Sequence, residues 1–268
     1  MKAFQQIGLG LSSYGKALEM IFSKKLILYM LFPLALNILL YIGGQALMTD
    51  LKEYVWKLFY QQINFQNADF FMSKHLDKML AGIIWILFEI LFFIAFTYIG
   101  GYIIIALLSP VFSNLSEKTE KIINGNDYPF QLSQTIKDIG RSLLLTLKNF
   151  LIQTGLTIVL FIIGFIPVIG WLAPIFLFLI NSYYFGFGFM DFTCERYKMD
   201  IKQSMKIIKN HKWAAITLGA VFSFSLFIPF CGVALSAFIS VISVIAATVL
   251  MLQILPNPLT NNPVNKNS

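Results

Sequence analysis

Ser23, Lys24 and Lys25 set a hydroxyl and two ammonium groups side by side, just before a long apolar stretch. Such a set near a helix start can donate to the oxygens of a tetrahedral oxyanion. The same lysines are equally suited to anchoring a helix end among lipid phosphates. An ammonium is a point charge without the planar fork of arginine, so it selects less sharply between oxyanions. Glu89 is the one acid deep in an apolar stretch. An ionisable group in such a place is a functional candidate; its alternative is a carboxyl kept neutral by burial or bonded within an oligomer. On an anion path it must be protonated or stand aside. Asn37, one helical turn after Pro33, can bond a carbonyl that the proline frees, or a neighbouring helix. Bond-making chemistry is not legible. His75 and His211 have no partner motif, Cys194 and Cys231 have no metal-ligand or disulfide spacing, and no nucleotide loop or Ser-His-Asp order occurs. No metal or cofactor is implied.

The elements that would position these residues follow from the charge pattern. Only 12% of the 268 residues are charged against 57% hydrophobic, which excludes an ordinary water-soluble domain, where about a quarter are charged. No charge occurs in 26–49, 149–190 or 213–265, and only Glu89 in 82–108. Each gap approaches or exceeds the roughly 20 apolar residues that span a bilayer. The net charge of +7 flanks these blocks and is not gathered into one arm, so it reads as membrane-surface charge and not as a nucleic-acid footprint.

Phe4, Ile7, Leu11, Tyr14, Leu18 and Ile21 recur at helical steps, predicting an amphipathic helix on or near the membrane surface. A first spanning helix is expected over 26–49, kinked at Pro33 with the Tyr29 carbonyl stranded. The mixed segment Asp50 to Lys78 reads as an extramembrane excursion on the far side, with its polar stretch Gln61 to Asp69 as a connecting loop, and a second spanning helix is expected over 82–108. Ser109 and Pro110 then open an amphipathic helix with Val111, Leu115, Thr119 and Ile122 on one side and a stop at Asn124-Gly125. The glycine pairs Gly43-Gly44 and Gly100-Gly101 are candidates for close helix approach or for simple flexibility at helix ends.

Two apolar blocks follow, each led by a basic amphipathic helix and each broken in its middle by F-I-P-x-x-G. The breaks stand 62 residues apart, at 165–170 with Pro167 and Gly170, and at 227–232 with Pro229 and Gly232. Proline and glycine at a midpoint predict a turn between antiparallel helices, and the repeated context predicts an internal repeat. The limbs 150–166 and 213–227 would be roughly 25 and 22 Å long, short of a hydrocarbon core of about 30 Å. Re-entrant hairpins are therefore expected, and their turns need surrounding protein or water, which favours an oligomer or a pore. If the first spanning helix starts inside, 16 of the 20 Lys and Arg residues lie inside and 4 outside, placing both termini in the cytoplasm. The reading is an all-α integral membrane protein. It has two long transmembrane helices, two hairpins and amphipathic surface helices, in one membrane domain over 1–255, with a disordered tail over 256–268.

The element order and four stretches resemble the CysZ family, bacterial inner-membrane sulfate permeases related to the etoposide-induced membrane proteins. The stretches are Phe32 to Leu40 (FPLALNILL), Leu108 to Glu117 (LSPVFSNLSE) and the two Phe-Ile-Pro breaks. The resemblance implies two long spanning helices and two hemi-penetrating hairpins in a homo-oligomer that passes sulfate or sulfite inward for assimilation. It also implies an anion site at a Gly-x-Arg-Arg turn before the first spanning helix. Here those arginine positions fall on Ile27 and Leu28, and the nearest cations are Lys24 and Lys25 beside Ser23. A reading from another class is a structural or lipid-interacting membrane protein without transport activity.

Overall fold

A computed structural model of the chain describes residues 1–23, 26–62, 79, 82–83, 85–92, 107–125, 132–166, 170–226, 228 and 232–255. Of the candidate residues, Lys24, Lys25, Pro167 and Pro229 lie outside this set, as do His75, Cys231, Gly100-Gly101 and the tail. Among the described residues there is no strand. The helices are α1 (Ala3–Ser23), a 3-10 turn η1 (Leu26–Met30), α2 (Leu31–Gln62), α3 (Ser109–Asn124), α4 (Leu132–Gly164), a short 3-10 turn η2 (Gly170–Leu172), α5 (Ala173–Arg196), α6 (Ile201–Asn210), α7 (Lys212–Leu226) and α8 (Gly232–Ile254). Four apolar stretches are long enough to cross a membrane: Leu26–Leu51, Leu143–Gly164, Gly170–Arg196 and Leu235–Ile254.

The chain divides into two compact units, Ala35–Ile103 and the remainder. In the first, Gly44 admits the Phe92 ring, which a Cβ there would meet at 3.0 Å, and Tyr41 packs its ring 6.1 Å from Phe92. The close approach predicted for this glycine pair is thus seen at Gly44, whereas Gly43 faces open space. Asn37 is 4% exposed and Glu89, in the helical stretch 85–92, is half-buried. The helix expected to end at Thr49 runs on through Gln62, because residues 50–62 include good helix formers and no Gly or Pro, and a helix leaving the hydrocarbon has no reason to stop; beyond Gln62 the loop expected over 61–69 lies outside the described residues. Pro33 stands near the start of the first span, as expected, just past a change of helix type. The 3-10 turn gives way to α2 at Leu31, so Pro33 sits in the first α-helical turn, where its missing N–H is one that has no intrahelical acceptor.

The larger unit is built round α8, which α1, α3, α5 and α7 all touch. Val241, Val244, Ile245, Ala246, Ala247 and Leu250 point in every direction round this helix and are all buried. A helix apolar on all sides is a central one. The tightest crossing joins α5 to α7. A Cβ on Gly186 would fall on the Ala215 carbonyl, and one on Gly219 would fall on the Ser182 carbonyl. Ser182 and Gly186, like Ala215 and Gly219, are four apart, so each helix presents a small-xxx-small face and the backbones touch.

At the two breaks the turns match. Gly170 N–H donates to the Ile166 carbonyl and Gly232 N–H to the Ile228 carbonyl, both at 2.8 Å. In each, a Cβ would strike a carbonyl of the preceding helix, that of Gly164 or that of Ser225. The first limb is longer than expected, however: α4 is one helix of 33 residues whose apolar part begins at Leu143. At about 1.5 Å per residue this largely apolar stretch of 22 residues reaches about 33 Å, enough to cross. The limb α7, with 15 residues, stays short.

The inward face of α1 also differs from the amphipathic reading. Phe4, Leu11, Leu18 and Phe22 point outward, while Gln6, Gly10, Ser13, Tyr14, Ala17 and Ile21 are buried. Where lipid is the solvent, large apolar side chains gain nothing by facing protein and small ones allow close packing.

Candidate functional site

The chain has two arginines, Arg141 and Arg196, and both are committed to acids. Arg141 on α4 grips Asp191 on α5 with both fork nitrogens, at 2.9 and 3.1 Å. The same guanidinium donates to the Ser204 hydroxyl at 2.6 Å and the Met199 carbonyl at 2.9 Å. This clamp ties the outer limb of the first hairpin to α5 and to the start of α6. Burial works against the Arg141 charge, and the bond and charge of Asp191 outweigh it, raising its pKa. Arg196 at the end of α5 pairs with Glu120 on α3 at 2.6 Å and donates to the Ser116 carbonyl at 3.1 Å. Tyr197 donates to Glu120 at 3.2 Å. Above this pair, Thr248 on α8 donates to the Ser116 hydroxyl at 2.8 Å, which shares a 3.4 Å contact with Thr193. Both guanidinium groups of the chain are therefore engaged within the protein.

The α1 and α6 ends are joined through side chains that periodicity does not single out. Gln6 donates to the Asn210 carbonyl at 3.2 Å and accepts from the Trp213 N–H at 3.1 Å, bridging the last carbonyl of α6 and the first turn of α7. Tyr14 donates to the Leu218 carbonyl and shares a 2.7 Å hydrogen bond with Ser243, and burial raises its pKa, so it stays a neutral hydroxyl. Asp200 and Gln203 cap α6 reciprocally. His211 ends α6 with Nδ1 2.9 Å from the Ile207 carbonyl, a capping contact.

Near the first spanning helix two clefts open. Ser23, exposed, lines one of about 500 Å³ together with Lys16, Glu19, Asn124 and Gln253. The other, about 910 Å³, lies between η1 and α3. Its apolar wall includes Leu26, Leu28, Phe32 and Val111; its polar side holds Tyr29, Asn114, Lys118 and Lys121. Tyr29 donates to the Asn114 side-chain oxygen, and the Lys118 ammonium lies 5.2 Å from the Tyr29 ring centre. Ile27 and Leu28 are 45% and 62% exposed, in the turn itself. The sequence sets Lys121 four residues after Glu117, at the spacing of a stabilising helical pair, and does not by itself single out Lys118. The signal that joins them is helical spacing: Asn114, Lys118 and Lys121 share the face of α3 opposite Phe112, Leu115 and Glu120, which are buried. The predicted stripe on α3 splits accordingly, Leu115 and Thr119 turning inward and Val111 and Ile122 lining the cleft. Among the described residues no group of His, Cys, Asp and Glu is arranged to hold a metal ion.

Residues 13–236 match the family described as sulfate transporter CysZ/etoposide-induced protein 2.4. The chain belongs to this family. Curated members similar to it are the sulfate transporters CysZ of Pseudomonas syringae pv. tomato, 27% identical over 80% of this chain and 81% of that one, and of Pectobacterium atrosepticum, 24% identical over 75% and 70%. A third, from Pseudomonas aeruginosa PAO1, is 23% identical over 80% and 84%. The match to the family takes in α1 from Ser13, η1, both arginine clamps and both breaks.

Proposed function

We propose that the chain is a membrane transporter or channel for a small oxyanion of the sulfate type, passing it inward for sulfur assimilation, and that it makes and breaks no covalent bonds. Membership of the family carries this reading, and the four apolar helices of spanning length accord with it. The anion is held where α1 ends, by the Ser23 hydroxyl and the Lys24 and Lys25 ammonium groups, at the mouth of the first spanning helix. Pro33, Asn37, Glu89 and the four break residues Pro167, Gly170, Pro229 and Gly232 are structural, setting helix starts and turns. The protein resides in the bacterial inner membrane with both termini cytoplasmic, as the 16 to 4 division of basic residues favours. It works as a homo-oligomer, which would cover the apolar tip of the first hairpin, where Phe165 and Trp171 stand outside the protein.

The test is uptake of radiolabelled sulfate into proteoliposomes of the purified protein. Flux above empty vesicles is expected, falling at least about 10-fold in Lys24→Ala/Lys25→Ala, since hydrogen bonds to a charged ligand contribute about 1.5–3 kcal/mol each. Absence of flux for both sulfate and sulfite would sink the reading.

A further inference from the structure

We infer that the cleft between η1 and α3 is a binding site for one anionic glycerophospholipid. The phosphate sits by Lys118 and Lys121, and an acyl chain lies along Leu28, Phe32 and Val111. This site is separate from the Ser23 cleft and does not rest on the transport reading.

Size argues first. At about 910 Å³ the cleft is at the upper end of pockets that take whole organic ligands, far more room than an inorganic oxyanion fills. Its chemistry is that of an amphiphile's partner, with an apolar wall and cations on one side. Asn114, Lys118 and Lys121 recur at helical steps along α3, so their polar ends converge on one strip. The Tyr29 hydroxyl bond to Asn114 orients that amide, and the Lys118 ammonium, 5.2 Å from the Tyr29 ring centre, is held near the strip. Level argues next. Leu26 opens the first apolar span, and Ser109-Pro110 closes the apolar stretch 82–108, so the cleft lies where hydrocarbon gives way to water. A lipid whose phosphate stands at that boundary brings its chains to the apolar wall. Charge complementarity selects the headgroup: juxtamembrane lysines favour anionic lipid by about 1 kcal/mol each.

Native mass spectrometry of the full-length protein in detergent, titrated with phosphatidylglycerol or phosphatidylcholine of the same chains, tests this. One phosphatidylglycerol per chain should be retained, with phosphatidylcholine at least about 10-fold weaker. Lys118→Gln/Lys121→Gln should weaken phosphatidylglycerol on the order of 30-fold. Lys206→Gln/Lys209→Gln on α6 removes equal charge elsewhere and should leave the affinity within about 3-fold. Val111→Trp, which fills the apolar part and spares the lysines, should also abolish retention. Equal binding of the two lipids by the unaltered protein overturns the inference without reference to any variant. Undiminished binding in either cleft variant overturns it too. Displacement of the lipid by millimolar sulfate or inorganic phosphate would make the cleft a site for free oxyanions and likewise end the lipid assignment.

Discussion

The two hairpins carry the same break and the same glycine-to-isoleucine hydrogen bond, yet they occupy opposite surroundings. In the first, 11% of the apolar window of α4 is buried, and its tip presents Phe161, Phe165, Trp171 and Phe176 outward. In the second, 72% of the window of α8 is buried. The motif F-I-P-x-x-G therefore specifies a local turn and says nothing about depth in the protein. Side-chain size decides that. The buried face of α8 is rich in Ser236, Ala237, Ser240, Ser243, Ala246 and Ala247, which let α1, α3, α5 and α7 approach, whereas the outer hairpin carries bulky rings that lose nothing by facing lipid.

Size substitutions can break this contrast, and the largest effect is expected at the crossing. Gly219→Val drives a branched side chain into the Ser182 carbonyl and should cost more than about 4 kcal/mol, leaving no monodisperse protein on size-exclusion chromatography. Gly155→Val on α4, where nothing lies within 4 Å, should fold normally. A cost at Gly155 as large as that at Gly219 would refute the contrast. Next in size is Asp191→Asn, which leaves the Arg141 charge half-buried opposite a neutral amide; about 3 kcal/mol should be lost, read as a lower thermal midpoint. Asp191→Asn with Arg141→Met should recover much of it. The matched pair Gly232→Ala and Gly170→Ala comes third. Each Cβ would meet a backbone carbonyl at under 3.0 Å, so both should cost about 2 kcal/mol, and a large difference between them would show that the surroundings and not the local turn set the cost. The smallest contrast is Leu250→Ala against Leu151→Ala. Lipid removes the transfer part of the cost, so the buried site should lose about 2 kcal/mol of cavity energy and the exposed one close to none.

Much of the fold is legible in the sequence, because lipid and charge exclude one another. Three of the charge-poor blocks located spans, the one at 82–108 lying largely outside the described residues; Asn124-Gly125 ended α3 with Gly125 at φ 73°, and the repeated break fell between successive helices at both places. Helix ends outside the hydrocarbon were less legible. Residues 50–62 changed from apolar to mixed without any residue that stops a helix. Inward faces were least legible, since periodicity identifies an apolar stripe but not what covers it; on α1 the stripe divides, Phe4, Leu11 and Leu18 standing exposed while Tyr14 and Ile21 are buried. The polar contacts of the larger unit were out of reach for another reason. Glu120 and Tyr197 are 77 residues apart, and Arg141 and Asp191 are 50 apart, so no local spacing announces them. At the candidate site Ser23 is placed beside a cleft, and the lysines of α3 come to the turn from a distant segment.

The contacts of α1 bear on the order in which the molecule assembles. Gln6 binds partners 204 and 207 residues away, and Tyr14 meets Ser243 across 229. A helix made before all of its distant partners is among the last to dock, and contacts of such sequence separation close slowly. Until α6, α7 and α8 are made, Gln6 and Tyr14 have none of their distant partners. A helix with large apolar groups on one side and these polar ones on the other can wait at the membrane surface, wet on the face that later becomes dry.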